Sequence, residues 1–177
     1  MPNRKKIKKK NKKEMISAGI ITVSDKGSQG KREDLSGPAI AEMLAGAAIA
    51  IKHTIIIPDE IDKIKETIIN FADVKKLDLI LTTGGTGVSP RDITPDATLE
   101  VIDKEIPGMA EAMRYHSGKI TPYAMISRAV AGIRGKCLII NLPGSPKGAI
   151  ENLAVVLPAL KHTIEKIKGD DSECASP

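Results

Sequence analysis

The sequence predicts an α/β protein, a single domain of three α/β/α layers around a doubly wound, mostly parallel sheet. Three observations lead to this fold class. Short runs rich in β-branched residues alternate with longer segments whose apolar residues recur at helical spacing. The run "LDLILTT" is apolar almost throughout, which is typical of a strand covered on both faces. The chain of 177 residues is also long enough to enclose one substantial core.

The first half of the chain predicts three strands separated by two helices. The strands are expected at residues 18–24, 49–58 and 77–83. The first helix is expected to begin at Ser36, a capping residue, with Pro38 in its first turn. The second helix is expected over residues 59–75, where isoleucine and phenylalanine side chains recur on one face.

The second half predicts three helical segments, one strand and a long final helix. Residues 95–106 and 107–117 are expected to form two short helices, and residues 121–130 a helix that straightens. Residues 131–144 are expected to form a strand. The final helix follows it, and Pro158 is expected to kink or break that helix.

The positive charge of the chain is concentrated at its amino terminus. Arg4 and seven lysines in residues 1–13 contribute +8 to the formal net charge of +5, which leaves −3 for the remainder. Such a block predicts a disordered basic tail over residues 1–14, either a solvated arm or a tether for nucleic acid or an anionic surface. The solvated arm is favoured, because one phenylalanine and two tyrosines offer no row of rings for base stacking. The folded domain is then expected over residues 15–169, with a loose tail at 170–177.

The composition excludes several classes of protein. No apolar stretch approaches the roughly 20 residues that cross a bilayer, and no signal peptide follows the basic start, so a cytoplasmic location is expected. Cys137 and Cys174 suggest neither a disulfide framework nor a zinc-binding pattern, and the three histidines are scattered.

Polar features follow four of the predicted strands, at the edge of the sheet where open α/β proteins bind ligands. They are Ser24-Asp25, Asp59, the glycine-rich loop 84–92 and the segment 141–147. Each feature also has a structural alternative: Asp59 can cap a helix, the glycines can form a tight turn, and Asn141 can satisfy strand ends. Because all four converge on one edge, the sequence favours a binding site there.

The glycine-rich loop has residues suited to phosphate but none of the common nucleotide motifs. The stretch "TTGGTGVSPRD" matches neither GxGxxG nor GxxxxGK[ST]. Glycines let a backbone approach phosphate closely, and a carboxylate such as Asp92 beside phosphate requires a cation between them. The sequence therefore predicts a phosphate site with a divalent cation, where Arg91 and Lys147 are candidates for further neutralisation.

Three stretches, "LILTTGGTGVSPRDITPDAT", "ITPYAMISRAVAGIRG" and "LIINLPGSPK", occur in this order within residues 16–169. Together they resemble the MogA-type molybdopterin adenylyltransferases and the homologous G domains of plant and animal molybdenum-cofactor proteins. The resemblance implies a homotrimer that transfers AMP from ATP to the terminal phosphate of molybdopterin, with Mg²⁺ and release of pyrophosphate. Since no molybdate-insertion domain is present in the sequence, a separate insertion enzyme is the expected acceptor of the product.

The resemblance also implies roles for particular residues of this chain. Asp59 and Asp92 correspond to the two aspartates that the family uses with nucleotide and metal, so they are the expected catalytic residues and metal ligands. The residues expected to contact phosphate form one loop: Gly84, Gly85, Thr86 and Gly87. The remaining expected binding residues, chiefly for the pterin, are Ser117, Ser127, Asn141, Gly144 and Ser145.

Two other functions stay open at this stage. A MoaB-like relative would bind molybdopterin as a carrier or scaffold without efficient adenylyl transfer. The presence of both Asp59 and Asp92 favours the enzyme over this carrier. A scaffolding module like the animal homologue would need a long linker and a second domain, which the sequence lacks.

Overall fold

The computed structural model describes residues 15–171, so the tail predicted over residues 1–14 and most of that predicted over 170–177 lie outside the described residues. The described chain forms one sheet of six strands in the order β2-β1-β3-β6-β5-β4. The strands are β1 (Ser17–Val23), β2 (Ala50–Ile57), β3 (Leu79–Thr83), β4 (Lys104–Glu105), β5 (Ala131–Arg134) and β6 (Cys137–Leu142). Strands β2, β1, β3 and β6 are parallel, whereas β5 and β4 run antiparallel to their neighbours.

Helices cover both faces of this sheet. They are α1 (Asp25–Ser28), α2 (Ser36–Gly46), α3 (Ile61–Ile69), α4 (Thr94–Leu99), α5 (Pro107–Gly118) and α6 (Pro146–Ile167). A π-helical turn, Asn70–Val74, extends α3, and a 3₁₀ turn, Pro122–Ile126, follows α5. None of the helices in the described range is long and apolar enough to cross a membrane.

The core is divided by the sheet into two apolar clusters, as the predicted three-layer architecture requires. Alternate residues of β1 enter opposite clusters: Ile20 packs with α2, α5 and α6, and Ile21 packs with α3 and α4. Strands β3 and β6 show the same alternation, with every side chain buried. The prediction of a doubly wound, mostly parallel sheet in a single domain is confirmed.

The strand predicted over residues 131–144 is wrong, because this segment forms a hairpin. Strands β5 and β6 pair antiparallel, and Arg134 lies opposite Cys137 across a two-residue turn. Gly135 adopts a positive φ of 55° in that turn, which glycine tolerates without strain. The chain therefore reverses direction where the sequence pattern predicted a single strand.

The helix predicted over residues 95–106 is also wrong beyond Leu99. Helix α4 ends at Leu99, and the short strand β4 pairs with β5. The Asp103 N–H donates to the Ile133 carbonyl at 2.7 Å, and the Ile106 N–H donates to the Ala131 carbonyl at 2.7 Å. Pairing with the exposed edge of β5 overrides the helical periodicity of this segment.

The helices that begin at the carboxyl edge of the sheet have well-defined caps. The cap of α2 is Asp34 rather than the predicted Ser36: its Oδ1 accepts the N–H groups of Ser36 (3.1 Å) and Gly37 (2.9 Å). Helix α6 begins after Ser145, whose hydroxyl accepts the Gly148 N–H at 3.1 Å. Helix α6 then continues through Pro158, so the predicted break is absent.

Candidate functional site

Two cavities open side by side at the carboxyl edge of the sheet. The larger has a volume of about 570 Å³ and is lined in part by Ser24, Asp34, Asp59, Gly84, Gly85 and Ser145. We call it the large cleft. The smaller has a volume of about 250 Å³ and is lined in part by Thr86, Gly87, Arg114, Ser117, Ser127 and Ser145. We call it the small pocket. Successive residues of the glycine loop face the two cavities, and Ser145 borders both.

The glycine loop, residues 84–87, can follow its path only with glycine at its first two positions. Gly84 has a φ of 103°, and a Cβ there would lie 2.3 Å from the Val23 carbonyl oxygen. Gly85 has a φ of 63°, and a Cβ there would lie 2.5 Å from the Thr94 hydroxyl. Both positions therefore combine a left-handed backbone with close contact to another segment. The loop exposes backbone to the large cleft without side-chain bulk.

Asp59 lies in the large cleft and does not cap the helix that follows it. Its Oδ2 accepts the Asp25 N–H at 2.8 Å, and the Asp59 N–H donates in return to Asp25 Oδ1 at 3.0 Å. Burial raises the pKa of Asp59, and the nearby charges of Asp25 and Asp92 add to that rise, although the bond from the Asp25 N–H opposes it. Asp59 is thus a half-buried carboxylate with negative neighbours.

Asp25 is bonded to Asp59 and belongs to the same group of charged residues. From the sequence it was identified only as part of the polar feature Ser24-Asp25. The Arg91 guanidinium holds it in a forked ion pair: Nε lies 3.1 Å from Oδ2, and Nη2 lies 2.8 Å from each carboxylate oxygen. The hydrogen bond from Arg91 holds the pKa of Asp25 below its usual range. The two residues are 66 positions apart, so no local pattern indicates their pairing.

Asp92 closes the loop that carries it. Its Oδ2 accepts the Ser89 N–H at 2.8 Å, and its own N–H donates to the Ser89 carbonyl at 2.9 Å. Arg128 Nη1 donates to the Asp92 carbonyl at 2.9 Å from the other side. A Cβ on Gly87 would lie 2.9 Å from Asp92 Oδ2, so this carboxylate lies against the glycine loop. Asp92 therefore has the turn-stabilising contacts expected of an aspartate in a loop.

Ser117 and Ser127 lie together in the small pocket, as their predicted common role requires. The Ser117 hydroxyl donates to Asn152 Oδ1 at 3.3 Å. Arg114 Nη1 donates to the Ala129 carbonyl at 2.9 Å, which fastens α5 to the wall that carries Ser127. Arg114 and Asn152 were not identified from the sequence, and they reach the pocket only because α5 and α6 pack against each other.

Asn141 does not join the two serines. Its side chain is fully buried, and its Oδ1 accepts the Val130 N–H at 3.1 Å. Its Nδ2 donates to the hydroxyls of Thr82 and Thr98, each at 2.9 Å. The alternation of β6 explains this position, because Asn141 points to the same face as Ile139, where α4 packs. Asn141 has the structural role of joining strand ends.

Thr94 is a further residue that sequence reasoning missed. Its hydroxyl is fully buried directly behind Gly85 and makes no hydrogen bond to the described chain. The position that a Cβ on Gly85 would occupy lies 2.5 Å from this hydroxyl and 3.2 Å from Asp59 Oδ1. An unpaired hydroxyl and a carboxylate oxygen therefore border the same glycine. Buried hydroxyls without partners are uncommon in folded proteins.

Ser145 lies at the boundary between the two cavities, and its neighbour Gly144 lines the large cleft. The Ser36 hydroxyl donates to the Gly144 carbonyl at 2.8 Å, and a Cβ on Gly144 would lie 3.2 Å from the Gly84 Cα. This close approach joins the start of α6 to the glycine loop. Lys147, a sequence candidate for charge neutralisation, is 79% exposed and lies 3.8 Å from Glu151.

The oxygen ligands near the glycine loop suit a hard cation that also binds phosphate. Within residues 15–171, no three His, Cys, Asp or Glu side chains are grouped so that they could hold a metal ion by themselves. Mg²⁺ commonly binds one or two carboxylates and takes its other ligands from substrate phosphates and water. The raised pKa of Asp59 and the unpaired hydroxyl of Thr94 indicate a corner that the described chain compensates incompletely. The residues present therefore fit Mg²⁺ bound together with a phosphate ligand.

The sequence matches a known family of domains over most of its length. A family profile described as a probable molybdopterin binding domain matches residues 19–162. The chain therefore belongs to this family, as the resemblance predicted.

Particular relatives are similar over most of the chain. A molybdopterin adenylyltransferase of Helicobacter pylori strain J99 is 46% identical over 157 residues, which are 88% of this chain and 89% of that protein. Gephyrin of Dictyostelium discoideum is 44% identical over 86% of this chain, but the match spans only 23% of gephyrin. The crystal structure of the molybdopterin biosynthesis enzyme MoaB from Thermus thermophilus is 51% identical in sequence. It superposes with a TM-score of 0.84, covering 88% of this chain and 98% of that one.

Proposed function

We propose that this protein is a molybdopterin adenylyltransferase, which transfers AMP from ATP to the terminal phosphate of molybdopterin and releases pyrophosphate. The observation that carries the proposal is the pair of cavities that meet at the glycine loop and at Ser145. A reaction that joins two phosphate-containing substrates needs two adjacent sites with a shared phosphate-binding boundary. The relative from Helicobacter pylori, which bears the name of this activity, supports the same function.

The large cleft is the proposed ATP site. Its volume of about 570 Å³ lies within the usual range for small-molecule sites. The amino ends of α2 and α6 border it, at Ser36 and Pro146. Asp34 and Ser145 accept N–H groups in the first turns of these helices, so there the helix dipole favours phosphate, whereas backbone N–H groups of the glycine loop can hold phosphate oxygens without steric hindrance. Arg32 also lines the cleft and can add a positive charge.

The small pocket is the proposed site of the pterin end of molybdopterin. It offers the hydroxyls of Ser117, Ser127 and Thr121, the guanidinium of Arg114 and the Asn152 amide. Such a set of donors and acceptors suits a polar heterocycle better than a second triphosphate. Its shared border with the large cleft, at Ser145, is where the terminal phosphate of molybdopterin would meet ATP.

In the proposed reaction, an oxygen of the molybdopterin phosphate attacks the α-phosphorus of ATP. A new P–O bond forms, the bond to the β-phosphate oxygen breaks, and pyrophosphate leaves. The protein contributes position and charge rather than a covalent intermediate, because phosphoryl transfer in general depends on these two effects. Gly84 to Gly87 hold the phosphates of the two substrates near each other while Ser145 fixes the boundary.

Asp59 and Asp92 are the proposed Mg²⁺ ligands. The bound ion would neutralise phosphate charge and so lower the repulsion between the two anionic substrates. Asp59 presents its carboxylate to the large cleft beside Gly85, and Asp92 lies against Gly87. Asp25 positions Asp59 through the two reciprocal hydrogen bonds.

The biological setting of the proposed activity follows the family resemblance. We propose that the protein is a cytoplasmic homotrimer and that a separate molybdate-insertion enzyme receives the adenylylated product. The acting unit is residues 15–169.

A molybdopterin carrier or scaffold of the MoaB type is the second candidate function. Two observations favour it: the similar Thermus structure bears the MoaB name, and the Asp92 carboxylate is already bonded to the Ser89 N–H. A carrier would need the small pocket but not a phosphate-bound cation. The carboxylates around the large cleft weigh toward the enzyme.

One incubation separates the two functions. The purified protein is mixed with molybdopterin, ATP and Mg²⁺, and the products are analysed by mass spectrometry. Adenylyl-molybdopterin and pyrophosphate in equal amounts are the expected result. Tight molybdopterin binding without either product would establish the carrier instead. Protein treated with a chelator serves as the control for the metal requirement.

A further inference from the structure

We propose that Arg91 is a phosphate-clamp residue that Asp25 holds in reserve: it leaves Asp25 for the triphosphate when ATP enters the large cleft. This inference rests on the proposed function, which supplies its ligand, ATP. It concerns Arg91, whose guanidinium is paired with Asp25 in the described chain. The ligand class is a nucleoside triphosphate, and the groups recognised are its β- and γ-phosphates.

The first observation is where Arg91 is held. Three segments meet at Asp25: its carboxylate accepts the forked guanidinium of Arg91 and the Asp59 N–H, and its own N–H donates to the Asp59 carboxylate. Asp59 lines the large cleft, whereas Asp25 and Arg91 lie just outside it. The guanidinium is thus one side chain away from the cleft in which phosphate would bind.

The second observation is that the ion pair is easily exchanged. The Arg91 side chain is 58% exposed and that of Asp25 is 38% exposed, so water competes for both charges. If Arg91 leaves, Asp25 keeps the N–H of Asp59 on Oδ1, and its own N–H stays on Asp59 Oδ2. The turn that presents Asp59 therefore does not depend on Arg91.

The third observation is the balance of charge. The carboxylates of Asp25 and Asp92 repel the Asp59 carboxylate, and the positive charge of Arg91 opposes that repulsion. An incoming triphosphate with its divalent cation brings both signs of charge. The cation offsets the carboxylates while the guanidinium fork, which matches the geometry of phosphate oxygens, turns to the phosphate. Each charge then keeps a partner of opposite sign.

The competing explanation is that the pair is only a brace between the glycine-rich loop and the turn after β1. A brace and a clamp predict different results for its two members. If the pair is only a brace, changing either residue should weaken ATP binding equally. A clamp fails when Arg91 is lost and does not fail when Asp25 loses only its charge, because asparagine keeps an Oδ1 that can accept the Asp59 N–H.

The test measures the affinity of the full-length protein for ATP with Mg²⁺, and for inorganic tripolyphosphate, by titration calorimetry. The variants are Arg91→Gln, Asp25→Asn and the double variant. We expect Arg91→Gln to weaken both ligands tenfold or more, Asp25→Asn to bind at least as tightly as the original protein, and the double variant to be as weak as Arg91→Gln. Equal losses in all three variants would show a brace, and no loss in Arg91→Gln would also overturn the clamp.

Asp25→Asn removes a negative charge and could tighten binding for that reason alone. The double variant resolves this point, because a plain charge effect would persist without Arg91 and a released clamp would not. Lys31→Gln, at an exposed lysine that does not line the large cleft, controls for the general loss of positive charge and should change affinity less than twofold.

Arg91→Lys keeps the charge and loses the fork, so it tests the clamp with the least risk to folding. Its affinity for tripolyphosphate should lie between that of the original protein and that of Arg91→Gln. Binding is measured without molybdopterin and does not require turnover. If the original protein binds ATP but forms no product, the proposed function fails while the clamp is still decided by these affinities.

Discussion

Asp59 and Asp78 are aspartates at opposite edges of the same sheet, and their surroundings differ in kind. Asp78 precedes β3 at the amino edge, where it accepts the Ser17 N–H at 2.8 Å and the Ser17 hydroxyl at 2.9 Å and pairs with Lys168. Its burial opposes ionisation, but the bonds from Lys168 and Ser17 outweigh this, so the pKa of Asp78 is lowered. Burial raises the pKa of Asp59, which has other carboxylates for neighbours.

The two edges therefore differ in how completely the protein compensates the charge of an aspartate. Asp78 is the less exposed of the two, yet Lys168 and Ser17 compensate its charge. Asp59 is less buried and has no ion-pair partner of its own in the described chain. A carboxylate whose compensation is incomplete, in a cleft, is a characteristic of functional sites.

The largest expected effect is on catalysis by Asp59→Asn. Loss of a ligand charge should lower adenylylation by about 100-fold or more, because metal charge stabilisation contributes several kcal/mol to phosphate chemistry. The melting temperature should stay the same or rise, since the raised pKa of Asp59 means that its charge destabilises the folded state. Product formation at fixed Mg²⁺ and a thermal melt measure the two effects.

Asp78→Asn is the matched control for this substitution. It should destabilise the fold by about 1–3 kcal/mol, since a charged hydrogen-bonded partner of Lys168 and Ser17 is lost. Turnover at a temperature where the variant is folded should be unchanged. A folded Asp78→Asn protein with little activity would erase the contrast between the two edges.

Gly85→Ala should have the next largest effect, this time on the shape of the large cleft. A φ of 63° and a contact of 2.5 Å with the Thr94 hydroxyl both oppose a Cβ. We compare it with Gly135→Ala, whose φ is 55° but where a Cβ meets nothing within 4 Å. The control should cost about 1–2 kcal/mol from backbone strain alone. Gly85→Ala should cost about 1–3 kcal/mol more, because the site is already full.

Denaturant titrations of the two alanine variants supply these free energies. Gly85→Ala should also lose ATP affinity, while Gly135→Ala keeps it, because Gly85 lines the large cleft and Gly135 does not. Equal stability losses for the two variants would mean that the contact with Thr94 relaxes without cost.

Asn141→Ala should show that this residue belongs to the interior rather than to the small pocket. Its removal leaves the Val130 N–H and the Thr82 and Thr98 hydroxyls without their buried partner. We expect a loss of about 1–3 kcal/mol in the free energy of unfolding, the cost of unsatisfied buried groups. Molybdopterin affinity measured on the folded variant should change little. A loss of affinity without a loss of stability would return Asn141 to the binding site.

The smallest expected effect is the dependence of stability on acid pH. The folded-state pKa of Asp78 is lowered, so the stability it contributes is present above its unfolded pKa of about 3.9 and is lost as the pH falls through the folded value. The stability gap between the original protein and Asp78→Asn should therefore be constant near neutral pH and narrow below about pH 4. Urea titrations between about pH 3 and pH 7, a range that includes the unfolded pKa of Asp78, measure how this stability gap changes with pH. A gap that widens in acid would contradict the lowered pKa.

The strands and most helices could be predicted because their signals are local. Ile20 and Ile21 belong to a run of β-branched residues, and such runs form buried strands wherever two layers of helices cover them. The hairpin at Gly135 and the strand β4 were missed for a physical reason. Both depend on pairing with an edge that exists only once the sheet has formed.

The candidate site likewise has features that the sequence predicts and features that it does not. The amino-acid sequence by itself determined that Gly84, Gly85, Asp59 and Asp92 would come to the carboxyl edge, because they follow predicted strands and the carboxyl ends of parallel strands meet at one edge. Its long motifs also identified the family.

Only the tertiary structure decided which side chains compensate one another. Arg91 reaches Asp25 across 66 residues, Asn141 turns inward to Thr98, and the Thr94 hydroxyl behind Gly85 finds no partner in the described chain. The physical reason is that compensation of a charge or a polar group depends on the distance to groups from remote segments. The spacing of apolar and polar residues along the chain does not determine that distance.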